Sequence, residues 1–171
     1  MTPPATTPGP PDPTLDDPML RVLRERHPEV DIVVLPQHVP APVVPELPAG
    51  ERDVLAAGAE RLVDDLIARL DLGERTATRD GRWHTDEWEQ SWYEAVAVVG
   101  DLDRGENVAL LRSTGNALVG LGWQARPVPG DRPRLVGRRR GGFEAAATVR
   151  PTSLVLTVST AKVRLTQEVA G

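Results

Sequence analysis

The sequence predicts an α+β domain in which two main helices pack on one face of an antiparallel sheet of four to six strands. Two segments, residues 51–72 and 103–121, place apolar side chains at helical spacing. From residue 123 onward the chain carries short apolar or alternating runs separated by turn residues, which is typical of strands. A length of 171 residues suits one domain with a core of its own.

Proline dominates the first third of the chain, because 13 of the 17 prolines lie between Pro3 and Pro48. We therefore predict three parts: a disordered Pro-rich tail over residues 1–14, a single domain over residues 15–166 and a short tail over residues 167–171. Asp17 as N-cap and Pro18 at the first helical position predict a short helix that ends before Pro28. The apolar run at residues 30–35 predicts a buried strand.

Residues 51–72 predict an acidic amphipathic helix. Its apolar positions are Leu55, Leu62, Leu66 and Leu70. Charged residues cover the opposite side, and Gly73 is placed to end the helix. Residues 74–82 are polar and contain the turn signal Asp80-Gly81, so we expect a loop there.

Residues 91–165 predict a strand, a helix and four further strands. Residues 85–99 fit both a helical and a strand pattern, and their β-branched and aromatic residues favour a strand over 91–99. The spacing of Asp103 and Glu106 predicts a capping box at the start of the helix. The four later strands are expected at residues 123–128, 134–140, 143–150 and 154–165. This order resembles the cystatin-type arrangement of a helix cradled by an antiparallel sheet, a likeness of element order that implies no function.

Two local signals refine the later strands. Gly141 and Gly142 predict a hairpin turn. In the last strand the apolar positions are first even-numbered and then odd-numbered, which predicts a bulge near Ser159 and Thr160.

The charge of the chain is divided by position. Residues 1–103 hold 21 acidic residues and 9 arginines, whereas residues 104–171 hold 10 arginines and Lys162 against 4 acidic residues, so that −12 and +7 sum to the net −5. Strand alternation predicts that the basic residues of the second part share the solvated face or the edges of the sheet, with two arginines at a hairpin end. They are Arg126, Arg134, Arg138, Arg150, Lys162 and Arg164, with Arg139 and Arg140 at the hairpin.

Clustered arginines bind carboxylates in a bidentate manner, so these residues predict a surface for an acidic protein or peptide. We do not expect nucleic acid, because the segment lacks interleaved stacking aromatics and a recognition helix. A face that is only solvated stays the alternative.

Four tryptophans supply most of the aromatic residues, and core anchoring is the expected role of such rings. The members of the set are Trp83, Trp88, Trp92 and Trp123. Trp83, His84 and Trp88 stand among acidic residues, so we expect these three to contact a ligand or partner if any aromatic residue does.

The sequence carries no recognisable catalytic, metal or cofactor motif. It has no cysteine and no G-x-S-x-G elbow. Strand geometry would bring only His84 and Asp86 together, too few ligands for zinc, although Glu87 and Glu89 lie nearby. We therefore expect no cofactor and no metal. The chain also shows no signal peptide and no membrane span, so we expect a cytoplasmic protein.

These observations predict a non-enzymatic cytoplasmic binding or adaptor protein whose arginine-bearing sheet face meets an acidic partner. One alternative is a small enzyme or ligand-binding protein with a pocket near residues 83–92. Another is an immunity or secretion-chaperone-type partner, which a neighbouring gene for a toxin or a secreted substrate would support. The oligomeric state and the identity of a partner do not follow from the sequence.

Overall fold

The computed structural model describes residues 17–30, residue 32 and residues 40–166. The chain divides into two compact units, residues 1–41 and residues 42–171. In the first unit α1 spans Pro18–Arg26, and the carboxylate of Asp17 accepts hydrogen bonds from the backbone N–H groups of Met19 and Leu20 at 2.8 and 3.4 Å. The predicted short helix and its N-cap are confirmed.

Three other predictions fall on segments that the structure does not describe or describes only in part. Both tails, residues 1–14 and 167–171, lie outside the described residues, and so does the predicted strand at 30–35 except for residues 30 and 32. The single domain over residues 15–166 stays a prediction.

The second unit contains two helices and eight strands among its described residues. In chain order they are β1 (Glu46–Pro48), a 3₁₀ turn (Ala49–Glu51), α2 (Arg52–Arg69), β2 (Ala77–Thr85), β3 (Gln90–Val99), α3 (Arg104–Gly120), β4 (Gln124–Val128), β5 (Arg134–Arg138), β6 (Glu144–Arg150), β7 (Ser153–Ser159) and β8 (Val163–Thr166). The predicted α+β class, with α2 and α3 as its main helices, is confirmed. The capping box of α3 forms as expected, since Asp103 accepts from the N–H of Gly105 and Glu106, and Glu106 accepts from the N–H of Asp103.

The sheet is larger than predicted and is mixed. Its order is β1-β8-β3-β7-β6-β5-β4, with β2 on the other side of β3, which makes eight strands in the described part of the chain. Every pairing is antiparallel except β1 with β8, which is parallel. The expectation of four to six antiparallel strands was therefore wrong in number and in direction. β1 escaped notice because it is a three-residue strand inside the proline-rich stretch.

The loop predicted at residues 74–82 was also wrong. β2 runs through it and pairs with β3 along its whole length, from Ala77 opposite Val99 to Thr85 opposite Ser91. An edge strand tolerates polar residues because one side of it remains in water. Gly81 is not among the residues with a left-handed backbone, so the Asp80-Gly81 signal is not used as a turn.

One long strand predicted at residues 154–165 is divided into β7 and β8, and both halves pair with β3. Glu94 lies opposite Ser159 and Ser91 lies opposite Val163, so three steps along β3 face four steps on the other strand. One extra residue in this position is a β-bulge, as the parity change predicted. Thr160 holds it, because its N–H donates to the carbonyl of Tyr93 and its Oγ1 accepts from the N–H of Tyr93, both at 3.0 Å.

The core lies between the sheet and the helices, which both cover the same face. Alternate residues of β3, β6 and β7 are buried there against α2 and α3. The sheet contributes Ala95, Ala97, Val99, Ala145, Ala147, Val149, Leu154, Leu156 and Val158, and the helices contribute Ala59, Val63, Leu66, Leu111, Ala117 and Leu118. Burial of each large aliphatic side chain contributes about 1.5–3 kcal/mol. Trp123 is buried in this core as expected of an anchor, whereas the other three tryptophans are half-buried.

Candidate functional site

The sheet face opposite the helices is not covered by another element of the second unit's described residues. Directly paired residues of neighbouring strands point to the same side, so the register defines which side chains share this face. We call it the open face, and its three central rows, read from β2 to β4, are Arg82-Glu94-Ser159-Glu144-Arg138-Gln124, Asp80-Val96-Thr157-Ala146-Val136-Arg126 and Thr78-Val98-Val155-Thr148-Arg134-Val128. The acidic helix α2 lies on the other face and leaves these rows open.

Four of the predicted arginines lie on the open face. Arg126, Arg134 and Arg138 stand on β4 and β5, and Arg150 stands at the end of β6 opposite Ser153. All four side chains are exposed. Strand alternation therefore placed them correctly on one solvated surface.

Only one of these four arginines has a carboxylate partner among the described residues. The Nε of Arg138 lies 3.0 Å from Oε1 of Glu144, its neighbour on β6. Arg126, Arg134 and Arg150 form no ion pair with any residue that the structure describes. Three guanidinium groups are thus available to bind an anionic group of another molecule.

Three of the four arginines, but not Arg150, border a hollow of about 640 Å³ in the open face. Ala146 and Thr157 lie at its centre, flanked by Val136, and their short side chains explain the depression. The charged rim consists of Arg126, Arg134, Arg138, Glu94 and Glu144. Short side chains line the centre of this hollow, and guanidinium groups line one side of it. Such a hollow can bind a part of another molecule that is partly apolar and partly anionic.

The hairpin arginines lie elsewhere. Arg139 and Arg140 border a second hollow, of about 510 Å³, together with Asp64 and Asp65 of α2 and with Phe143. The hairpin turn itself is the predicted one, with Gly141 and Gly142 both at positive φ. The acidic helix therefore lies near the hairpin arginines while leaving those of the open face exposed.

Lys162 and Arg164 lie at the far end of the sheet, around β8. Arg164 pairs with Gln90 of β3, on the same side of the sheet as the open face. Lys162 binds Asp86 at 2.8 Å and lies 4.9 Å from the ring centre of Trp92. These two cations are therefore separate from the group on β4 to β6.

The Asp86 carboxylate organises the β2–β3 turn. It accepts hydrogen bonds from Lys162 and from the backbone N–H groups of Gln90 and Trp88. The hydrogen bond from Lys162 is the main cause that holds the pKa of Asp86 below its usual range, and the two backbone bonds act in the same direction. Asp86 is thus a structural anion and not a proton donor at neutral pH.

The three aromatic residues predicted to contact a ligand do not come together. Trp83 points to the helix side, where it meets Tyr93 edge to face at 5.6 Å and the guanidinium of Arg52 at 4.8 Å. His84, the next residue, points to the opposite side. Trp88 lies in the turn that follows β2. Because successive strand residues alternate between faces, Trp83 and His84 cannot line one pocket.

His84 belongs instead to a cluster on the open-face side that the sequence did not indicate. Its ring stacks on Trp92 at 5.1 Å, and its Nε2 lies 3.6 Å from Oε1 of Glu94. The β2–β3 register would have indicated this cluster, but residues 74–82 were expected to be a loop, so no strand beside β3 was predicted there. Among the residues that the structure describes, no group of three or more metal-ligating side chains could hold a metal ion.

No helix within the described ranges is long and apolar enough to cross a membrane. Comparison of the chain with known protein families, with curated proteins and with solved structures gave no match.

Proposed function

We propose that this protein is a non-enzymatic, cytoplasmic binding or adaptor protein whose open face meets an acidic surface of a partner protein. The observation that supports this most is the set of unpaired guanidinium groups. Arg126, Arg134 and Arg150 share a face that the helices do not cover, and none has a carboxylate partner among the described residues.

Physical chemistry favours a carboxylate-bearing partner for this arrangement. A guanidinium group presents a planar fork of N–H donors that matches a carboxylate in two parallel hydrogen bonds. Several such groups on one face also attract an oppositely charged surface before contact, which raises the association rate at low ionic strength. The local charge opposes the net charge of −5 of the whole chain, so it is a property of this face and not of the protein in general.

The test uses a fluorescent poly-glutamate peptide as the probe and fluorescence anisotropy as the readout. The variant R126E/R134E/R150E should bind it at least tenfold more weakly than the wild type. The matched control R61E/R69E/R112E changes three exposed arginines of α2 and α3, with the same change in total charge. It should keep most of the affinity if the open face is the binding site.

Three outcomes contradict the proposal. The first is an equal loss of affinity in both triple variants, which would mean attraction to overall charge only. The second is binding that persists at high ionic strength, because screening weakens exposed charge pairs. The third is a single-stranded oligonucleotide of equal charge that binds the open face more tightly than poly-glutamate.

The predicted alternatives, a pocket enzyme or ligand-binding protein near residues 83–92 and an immunity or secretion-chaperone-type partner, stay predictions.

A further inference from the structure

The floor of the open face restricts what kind of acidic partner fits it. Where the second and third rows cross β3, β7, β6 and β5, seven of the eight positions carry small or β-branched side chains, and the eighth is Arg134. The seven are Val96, Val98, Val155, Thr157, Ala146, Thr148 and Val136. All seven are only partly buried. A purely polar acidic chain would leave this floor in water, whereas an apolar stripe on the partner would cover it.

The width of the floor matches that of a helix. Four neighbouring strands span three spacings of about 4.8 Å, or roughly 14 Å, and a helix with its side chains is about 10–12 Å wide. Along the strands, the seven residues of β6 extend over about 23 Å, the length of a helix of about 15 residues; the floor residues Ala146 and Thr148 lie in the middle of this length, and the charged Glu144 and Arg150 lie at its ends. The short side chain of Ala146 lies in the middle of this area, where a large side chain of the partner would fit.

The charges of the face are unevenly placed across it. Arg126, Arg134 and Arg150 stand on β4, β5 and the end of β6, whereas Asp80 and Glu94 stand on β2 and β3 together with Arg82. A helix that lies between these borders would meet Arg126 and Arg134 along one long edge, and Arg82 together with two carboxylates along the other. Charge complementarity therefore calls for carboxylates on one edge of that helix, beside its apolar stripe.

We propose that the open face binds an amphipathic α-helix of a partner protein, with its apolar stripe on the floor and its carboxylates facing Arg126 and Arg134. This inference rests on the proposed function and narrows it to one class of partner. A helix that binds in this way carries apolar residues at positions i, i+3 or i+4, and i+7, with acidic residues next to them.

The experiment selects ligands from a displayed library of random peptides of about 15 residues, whose helical length matches that of β6. Selection on the wild type is followed by counter-selection on R126E/R134E/R150E. We expect enriched peptides to combine acidic residues with apolar residues at helical spacing, and to gain helical circular dichroism on binding.

An enriched peptide is then measured against A146Q, which fills the hollow with a polar side chain and leaves the charge unchanged. Affinity should fall at least tenfold, which equals about 1.4 kcal/mol. The matched control A68Q lies on the exposed side of α2 and should bind like the wild type. Replacing the apolar residues of the peptide by Gln should cause a similar loss, and this arm does not depend on the folding of a protein variant.

The outcomes separate this inference from the proposed function. Acidic peptides without apolar spacing, insensitive to A146Q, would overturn the helix inference and leave the proposed function standing. Alternating apolar spacing without helix formation would also overturn it. If the wild type self-associates in sedimentation and the A146Q variant does not, the open face binds a second copy of this chain. That result would also overturn the helix inference. Failure to enrich any peptide that prefers the wild type to R126E/R134E/R150E would overturn both.

Discussion

Replacement of Gly81 by alanine should destabilise the fold through a collision on the helix side of β2. A Cβ atom at this position would lie 2.1 Å from Oη of Tyr93, 2.8 Å from its Cζ and 2.5 Å from Oε1 of Glu60. The tyrosine ring cannot move freely, because Trp83 contacts it and its hydroxyl donates to Glu60 at 2.7 Å. Overpacking of this kind costs about 1–3 kcal/mol, and loss of the hydrogen bond adds about 1 kcal/mol. We expect a total of about 2–4 kcal/mol.

Urea unfolding followed by circular dichroism measures this difference. Gly100→Ala is the matched control, because a Cβ atom there meets nothing within 4 Å and its backbone is not left-handed. It should change the free energy of unfolding by less than about 0.5 kcal/mol. In a Tyr93→Phe background Gly81→Ala should cost less, since the closest contact is gone. Equal effects of Gly81→Ala and Gly100→Ala would refute the reasoning, and would mean that Tyr93 does not cover Gly81.

Three further predictions concern single groups. Tyr93 is the only tyrosine, and burial, with the hydrogen bond to Glu60, raises its pKa to about 12 from 10.0, so its absorbance should titrate near 12 in the folded protein. Because the folded pKa is the higher one, this contribution to stability is complete below pH 10 and is lost as the pH rises toward 12, and Tyr93→Phe should lack that loss. Titration near 10 in a protein still folded by circular dichroism would contradict the burial. Hydrogen bonds from the backbone N–H groups of Glu106 and Gly105 lower the pKa of Asp103. Asp103→Ala should therefore lower the free energy of unfolding above about pH 4, and this difference should shrink as the pH falls through the lowered pKa. Asp103→Asn should keep most of the cap. Thr160→Val keeps the shape of the side chain but loses the hydrogen bond from the N–H of Tyr93, and should lower the free energy of unfolding by about 1–3 kcal/mol in urea melts; a neutral effect would mean that the bulge does not depend on Thr160.

Local signals in the sequence predicted the parts of the fold that local chemistry decides. The capping box of Asp103 and Glu106 depends on residues three apart, and the glycine pair at 141–142 forms its turn without distant contacts. The bulge at Thr160 was visible as a change of parity, because each face of a strand keeps one kind of residue. β2 was missed for the opposite reason. Its polar sequence resembles a loop, and only pairing with β3 makes it a strand.

The candidate site shows the same division. Alternation along single strands determined that Arg126, Arg134, Arg138 and Arg150 would be exposed, and composition determined that the basic residues would lie in the second part of the chain. Which carboxylates reach them was decided by the tertiary structure alone. The register brings Glu144 beside Arg138, and the packing of α2 on the other face keeps its acidic residues away from the open face. Charge and periodicity follow from residues that are close together in the sequence, whereas the pairing of distant charges depends on how the strands align and on which face the helices cover.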